Sequence, residues 1–214
     1  MAGDSASSVR SRCRARDNPF RVERILTVRY RPRQWTWDQL LARLHELQFR
    51  AAICGPQGSG KTTLLEDLIV RLSEAGLRTR LLEVRRETRR VAGLQLRQFL
   101  AEADRSDILV VDGSEQLRHW TWRRLLRHSR RHPGLIVTSH AAGRLPTLVQ
   151  CETDVELLES IVAQLVPHAV ARLRGHLPAL YAAHKGNLRM CLRQLFDLYA
   201  GNSESFAGAC EDLS

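Results

Sequence analysis

The feature that most constrains this chain is a glycine-rich loop that matches the phosphate-binding pattern G-x-x-x-x-G-K-[ST]. The loop consists of Gly55, Pro56, Gln57, Gly58, Ser59, Gly60, Lys61 and Thr62. Its glycines let backbone amides approach phosphate oxygens, its lysine can pair with the β and γ phosphates, and its threonine hydroxyl can hold Mg²⁺. The pattern therefore predicts that these residues, together with Thr63, bind a nucleotide and its magnesium ion.

The residues on either side of the loop favour the same interpretation. Residues 51–54 form a short apolar run typical of a buried strand, and leucines after the loop recur on one helical face as far as the helix stop Gly76. The alternative is a glycine turn that arose by chance. However, Lys61 and Lys185 are the only lysines among 33 basic residues, so composition does not explain a lysine at this position.

A second apolar run ends in a carboxylate, Asp112, which follows Thr62 by 50 positions. This order predicts a buried parallel strand that brings Asp112 to Mg²⁺ beside Thr62. Glu115 is the candidate to orient or deprotonate a water molecule, although an acid at a helix start also has a purely electrostatic use. Residues 135–140 form another buried strand with a polar end. There Thr138 is a candidate for contact with the γ phosphate, and ordinary strand-end capping is the alternative.

Short strands that alternate with helices predict an α/β fold for the core. The β-prone runs are 51–54, 78–84, 108–112, 135–140 and 147–151. In the second run we expect Leu81, Leu82 and Val84 to point inward. Helices are predicted between the strands, at 94–103 and 116–131. Such an order is typical of a mainly parallel five-stranded sheet with helices on both faces, which makes three layers.

Outside the core, the patterns divide the chain into further segments. Partial alternation over residues 21–30 predicts a strand or an extended arm, and Thr36 with Gln39 has the form of a capping box for a helix over 37–48. From residue 154 onward the pattern is helical. The predicted segments are a disordered basic tail at 1–18, an N-terminal arm and helix at 19–48, a nucleotide-binding core at 49–152, a helical lid at 153–201 and a disordered acidic tail at 202–214.

Composition bounds the location and the class of partner. The five cysteines include no C-x-x-C pair, so neither a disulfide framework nor a zinc site is predicted. No apolar run approaches the roughly 20 residues of a membrane span, and no secretory segment opens the chain, so we expect a cytoplasmic protein without a membrane partner. The net charge of +10 indicates either an anionic partner such as nucleic acid or a general preference for arginine.

The loop and the strand that ends at Asp112 resemble the Walker motifs of P-loop ATPases. Residues 135–140, together with the turn of Gly186, Asn187, Leu188 and Arg189, make the chain similar to the AAA+ superfamily or its STAND relatives. The resemblance covers residues 49–201 and implies a three-layer P-loop NTPase fold followed by a small C-terminal helical lid. It implies an ATPase that uses ATP and Mg²⁺ to drive a conformational switch or an assembly, with a homo-oligomer or an unidentified protein as partner. By this resemblance Thr138 serves as sensor 1, and Arg189 reaches the γ phosphate from the lid as sensor 2.

The chain departs from the pattern of these families at two positions. Many AAA+ proteins have a glutamate directly after the magnesium-binding aspartate, but this chain has Gly113, so Glu115 is the remaining candidate for that role. His140 stands where the STAND pattern has an arginine. An arginine finger offered to a neighbouring copy is expected near the end of the sensor 1 region, where Arg144 is the candidate.

Two other functions fit the same motifs. The loop also opens small-molecule and nucleotide kinases, although the helical C-terminal part and the lack of an acceptor motif speak against a kinase. The other is an ATP-gated adaptor with little turnover, whose basic helix over 118–131 docks DNA, RNA or an acidic protein. In that helix, Trp120 and Trp122 are interpreted as core residues rather than base-stacking platforms, because Leu125 and Leu126 share part of their face.

Overall fold

The structure, a computed structural model, describes residues 18–25, 28, 35–167 and 170–200 of the 214-residue chain. Five strands form one sheet in the order β2-β3-β4-β1-β5, and all neighbouring strands are parallel. The strands are β1 Arg50–Cys54, β2 Thr79–Glu83, β3 Ile108–Asp112, β4 Leu135–Ser139 and β5 Thr147–Gln150. The predicted parallel five-stranded sheet is therefore confirmed.

Helices connect the strands and continue after the last one. The helices of the sheet region are α2 Trp37–Glu46, α3 Lys61–Glu74, α4 Ala92–Glu102 and α5 His119–Ser129, with a short 3-10 turn at Ser114–Gln116. The remaining helices are α1 Val22–Ile25, α6 Val155–Leu165, α7 Val170–Leu173, α8 Leu177–Ala183 and α9 Leu188–Tyr199. Among the residues that the structure describes, no helix is long and apolar enough to cross a membrane.

The strands divide their side chains between two cores, because successive residues of a strand point to opposite faces of the sheet. In β1, Ala51 and Ile53 pack with leucines of α2 and α3, whereas Ala52 and Cys54 pack with residues of α4 and α5. The strands β3 and β4 alternate in the same way. Burial on both faces explains why these strands are continuous apolar runs, and it gives the three layers that the sequence predicts.

Helix α2 begins at the predicted capping box. The Gln39 amide donates to Thr36 Oγ1 over 3.3 Å, and the Thr36 amide donates to Gln39 Oε1 over 2.9 Å. Leu40 and Leu44 of this helix are buried against the sheet, and Trp35 and Trp37 pack at the edge of the same core. The two tryptophans therefore help to hold α2 against the sheet.

The chain divides into two compact units. One holds the described residues between 29 and 153, and the other combines the described residues before 29 with those after 153. The second unit has its own core, in which Phe20 packs with leucines of α6, α8 and α9. The Asn18 side-chain amide donates to the Phe196 carbonyl oxygen over 2.8 Å, and the rings of Phe20 and Tyr199 meet edge to face. The predicted tail at 202–214, and the tail at 1–18 apart from Asn18, lie outside the described residues.

Three sequence expectations differ from the structure. Within 21–30, residues Val22–Ile25 form a helical turn instead of part of a strand, and Ile25 packs against the helical core of the second unit. Leu81 is 41% exposed although an inward position was expected, since β2 is an edge strand on which Leu82 points to the core. The helix expected over 116–131 starts only at His119, after the 3-10 turn.

Candidate functional site

The predicted phosphate-binding loop lies between β1 and α3, at the carboxyl edge of the sheet, where ligands bind in open α/β folds. Gly55 continues β1 and donates its amide to the Ser139 carbonyl oxygen of β4 over 3.1 Å. A Cβ atom at Gly55 would lie 2.4 Å from the Cys151 carbonyl oxygen, so only glycine fits there. The loop is therefore fixed to both neighbours of β1 at its first residue.

Lys61 is the first residue of α3, and its side chain folds back over the loop. The side chain is buried, and its Nζ atom donates to the carbonyl oxygens of Gly55 and Pro56, over 2.7 Å in each case. Burial lowers the pKa of the Lys61 ammonium, and the nearby carboxylates of Glu115 and Asp112 partly oppose that shift. The Lys61 ammonium therefore lies at the loop, near both predicted acidic site residues, Glu115 and Asp112.

Asp112 ends β3 and is held by two hydroxyl groups. Thr62 Oγ1 donates to Asp112 Oδ2 over 2.9 Å, and Thr138 Oγ1 donates to Asp112 Oδ1. The Gly113 amide donates to Thr138 Oγ1 over 2.8 Å, and the Ser114 hydroxyl donates to the Thr138 carbonyl oxygen over 2.7 Å. The end of β4 thus orients the carboxylate at the end of β3. In this arrangement Thr138 positions Asp112, and its contact with a γ phosphate stays a prediction.

The residues at the loop fit a polyphosphate and a magnesium ion. The Thr62 hydroxyl and the Asp112 carboxylate are hard oxygen ligands of the kind that Mg²⁺ takes. The first amides of α3 have no partner within the helix and lie at its positive end, which favours an anion. Ser59 Oγ is buried and has no hydrogen-bond partner among the described residues. It could donate to a phosphate oxygen, whereas Pro56 and Gln57 are exposed on the outer side of the loop.

Glu115 lies in the 3-10 turn after β3, close to the end of β4. Its Oε1 atom is 3.2 Å from His140 Nε2, and its Oε2 atom is buried without a hydrogen-bond partner among the described residues. An unpartnered buried carboxylate oxygen is costly unless something donates to it. Glu115 Oε2 is therefore suited to accept a proton or a hydrogen bond from a water molecule, while His140 holds the other oxygen.

Gly113 explains the missing glutamate after Asp112. Its φ angle is 81°, in the left-handed region, and a Cβ atom there would lie 2.2 Å from the Val84 carbonyl oxygen. The backbone at Val84, just after β2, therefore approaches this position too closely for any side chain. An acid can return only after the chain has turned, and Glu115 is the first acid to do so.

The sequence singles out two arginines, Arg144 and Arg189, of which Arg144 lies near enough to Glu115 to interact with it electrostatically. Arg144 is half-buried, its guanidinium stacks 4.8 Å from the centre of the Trp122 ring, and it donates to the Leu117 carbonyl oxygen over 3.3 Å. Arg189 belongs to the other compact unit, where it is exposed in the first turn of α9 after the N-cap Asn187. Its role as sensor 2 stays a prediction, and Thr63, in the first turn of α3, likewise stays a predicted nucleotide contact.

Sequence reasoning missed the roles of Ser114 and His140. Ser114 was given no role, and His140 was treated as part of a polar strand end and as a departure from a family pattern. Both follow from adjacency, because β3 and β4 are neighbours and run parallel, so the residues after Asp112 meet those that end β4. A search for donors and acceptors at the ends of neighbouring strands would have found them.

Comparison with known proteins gives the fold. No protein-family model matches the sequence, and no curated protein matches it significantly. The structure is similar to a point variant of RuvB from Thermotoga maritima, with a TM-score of 0.50 and 17% identity over 77% of this chain and 60% of that chain. A second RuvB variant from Thermotoga maritima aligns over 80% of this chain and 73% of that chain, with 14% identity and a TM-score of 0.42.

The chain thus spans 60% of the length of the first of these structures. RuvB is an AAA+ P-loop ATPase. The three-layer α/β fold of P-loop NTPases that the sequence predicts is therefore confirmed, and the chain shares this fold with the RuvB structure.

Proposed function

We propose that this protein binds ATP with Mg²⁺ at the phosphate-binding loop and hydrolyses it to drive a change of conformation or of assembly. The observation that carries the proposal is the 2.9 Å contact between Thr62 and Asp112. It joins the loop to the acidic end of β3, so the two residue types that hold Mg²⁺ in such sites are adjacent.

The side chains around this contact have separate tasks in the proposed reaction. Bound Mg²⁺ would neutralise charge that develops on the phosphate oxygens. Lys61 would exchange its two loop carbonyls for β and γ phosphate oxygens. Glu115 would orient a water molecule through Oε2 and take its proton as the water oxygen bonds to the γ phosphorus. The bond between that phosphorus and the β–γ bridging oxygen breaks, and ADP leaves with the electron pair.

Assembly is the second part of the proposal. Phosphoryl transfer is slow when no arginine finger offsets charge on the γ phosphate. Arg144 is held by Trp122 and Leu117 of its own chain, which leaves this candidate poorly placed to serve a neighbour. We propose that a single copy turns over slowly and that a protein partner, or a homo-oligomer through a cation other than Arg144, accelerates it. The cytoplasm, which supplies Mg²⁺ and ATP, remains the predicted location.

The test compares the only two lysines. Lys61→Ala removes the buried ammonium, and Lys185→Asn removes one exposed charge in the other unit at a left-handed position (φ 51°) that asparagine tolerates. ATP affinity is measured by calorimetry with and without Mg²⁺. We expect Lys61→Ala to lower it by roughly 30-fold or more, as for loss of a charge-assisted contact, and Lys185→Asn to leave it within about twofold.

Phosphate release and light scattering complete the test. Free phosphate produced from ATP without any added acceptor supports a hydrolase, and a Mg²⁺-ATP-dependent rise in mass supports assembly. Equal ATP affinity in the Lys61→Ala variant and the parent would refute the nucleotide site. Turnover that appears only when a small-molecule or nucleotide acceptor is added would show a kinase instead.

A further inference from the structure

A concave surface formed by α4 and α5 carries arginine and an exposed tryptophan but no carboxylate. One concavity is lined by Trp120, Arg123, Arg124, Arg127, His128 and Arg131. A second concavity shares Trp120 and Arg124 with the first and extends over Leu94 and Arg97 of α4. We call the two together the arginine–tryptophan surface. Its shared residues make it one continuous track.

The arginines of this surface are not explained by the general preference of the chain for arginine. Elsewhere in the sheet unit some arginines do pair with acids: Arg78 with Asp107, Arg80 with Glu102 and Arg85 with Glu83. In the described part of the chain, no carboxylate lies within ion-pair distance of an arginine of the arginine–tryptophan surface. Residues 116–151 contain no acid at all. The positive charge of this surface is thus left for a partner.

Trp120 is the second unusual feature of the surface. Its side chain is 78% exposed, whereas Trp122, two residues later, packs against the core and against Arg144. The sequence interpretation of Trp120 as a core residue is therefore wrong. Exposure of the large Trp120 ring to water forgoes the favourable free energy of burying it. An exposed aromatic ring beside arginines such as Arg124 is the arrangement that stacks unpaired bases.

Helix α5, which presents these side chains, is attached to the sheet by packing and hydrogen bonds. Leu125 is fully buried under α5, and Arg50 of β1 donates to the Ser129 carbonyl oxygen over 2.7 Å and to the Ser129 hydroxyl over 3.2 Å. Burial lowers the pKa of His128, and the neighbouring His132 and Arg131 lower it further. The surface is therefore anchored to the sheet through Leu125 and Ser129, and its positive charge comes from its arginines.

We propose that the arginine–tryptophan surface binds single-stranded nucleic acid, with its phosphates on the arginines of α5 and a base stacked on Trp120. A single strand fits better than a duplex because duplex bases already stack on each other and offer no free face. It fits better than an acidic peptide because aspartate and glutamate give an exposed indole nothing to stack on. This binding is independent of the proposed ATPase activity.

The experiment uses the full chain and fluorescein-labelled 20-mers: mixed-sequence single-stranded DNA, the same sequence as RNA, and the DNA duplex. Fluorescence anisotropy is measured from 50 to 300 mM salt. We expect either single strand to bind more tightly than the duplex. Trp120→Ala should weaken single-strand binding about tenfold, the effect of one stacked base. Because Trp120 is exposed, the Trp120→Ala variant should keep the ATP affinity and the melting temperature of the parent.

The arginines are tested by their effect on salt dependence. The double variant Arg124→Gln, Arg127→Gln should reduce the slope of log affinity against log salt by about 1.4, since each contact with a single strand contributes about 0.7. The matched control is Arg86→Gln, Arg89→Gln, which removes the same charge from exposed positions in the loop before α4. The control slope should stay within about 0.3 of the parent slope.

Three results would overturn the proposal. One is no binding of any oligonucleotide at 50 mM salt, where electrostatic binding is strongest. Another is an equal decrease of the salt-dependence slope in the control and the test double variants, which would show that nucleic acid responds to the net charge of the protein and not to one defined surface. The third is binding of poly-glutamate as tight as that of single strands and insensitive to Trp120→Ala, which would assign the surface to an acidic protein.

Discussion

The phosphate-binding loop and the arginine–tryptophan surface both suit phosphate, but they do so by opposite means. The loop uses backbone amides and one buried lysine whose charge is already satisfied by two carbonyls. The surface uses many exposed guanidiniums without acidic partners among the described residues. A site of the first kind selects its ligand by shape, because a small misfit leaves buried polar groups unpaired. A site of the second kind binds many different anionic ligands, and its affinity for them depends strongly on salt concentration.

The largest effect on stability is expected at Gly113, which directly follows Asp112. Gly113→Ala places a Cβ atom 2.2 Å from the Val84 carbonyl oxygen and forces an unfavourable φ. We expect the free energy of unfolding to fall by about 3 kcal/mol, and Mg²⁺-ATP affinity to fall with it because Asp112 is displaced. Urea denaturation and calorimetry measure the two effects.

Gly143→Ala is the control for Gly113→Ala. Gly143 also has a positive φ, 108°, but a Cβ atom there would meet nothing within 4 Å. A loss of about 1 kcal/mol is expected, from backbone strain alone. If both variants lost the same free energy of unfolding, the close approach of Val84 to Gly113 would not be what restricts this position.

Glu115→Gln tests whether the loop region does chemistry in addition to binding. The amide keeps the shape of the side chain but cannot take a proton from water. We expect phosphate release to fall about 100-fold while ATP affinity stays within about threefold. The control is Glu83→Gln, an exposed acid that pairs in register with Asp112 at the same edge of the sheet. Unchanged phosphate release in Glu115→Gln would contradict the role of this residue.

The smallest effect is expected on the arginine–tryptophan surface, at Gly93 of α4. A Cβ atom there would lie 3.9 Å from Thr121 Oγ1 and meet no other atom within 4 Å, so alanine fits without strain. Because alanine is the better helix former, Gly93→Ala should raise the free energy of unfolding by about 0.5 kcal/mol. Thermal denaturation measures the shift. A clear loss of stability would show that α4 and α5 pack more tightly than their structure indicates.

The buried half of the molecule was predictable from sequence to a large extent. The phosphate-binding loop, the strand that ends in Asp112 and the capping box at Thr36 are each specified by local chemistry, so they need no knowledge of the partner element. The parallel sheet followed from the alternation of strands and helices. The position of Arg189 relative to the loop depends on two separate units and was beyond what local patterns decide.

The exposed half was harder to predict, because exposure depends on which elements cover which face. Trp120 and Trp122 lie two residues apart, about 200° around a helix, so they could not both face the core. Trp122 aligns with Leu125 and Leu126, which left Trp120 outside. The prediction that Leu81 points inward is wrong for a related reason, since nothing in the sequence around it shows that β2 is an edge strand.

The folded-back side chain of Lys61 sets a threshold for what the loop accepts. An incoming anion has to replace two short hydrogen bonds that the ammonium already makes with Gly55 and Pro56. A lone sulfate or inorganic phosphate brings too few oxygens to compensate for both the bonds and the ordering of the loop, whereas a chain of phosphates can satisfy the lysine, the helix amides and Thr62 at once. We therefore expect the loop to discriminate against single small anions and to prefer a chain of phosphates.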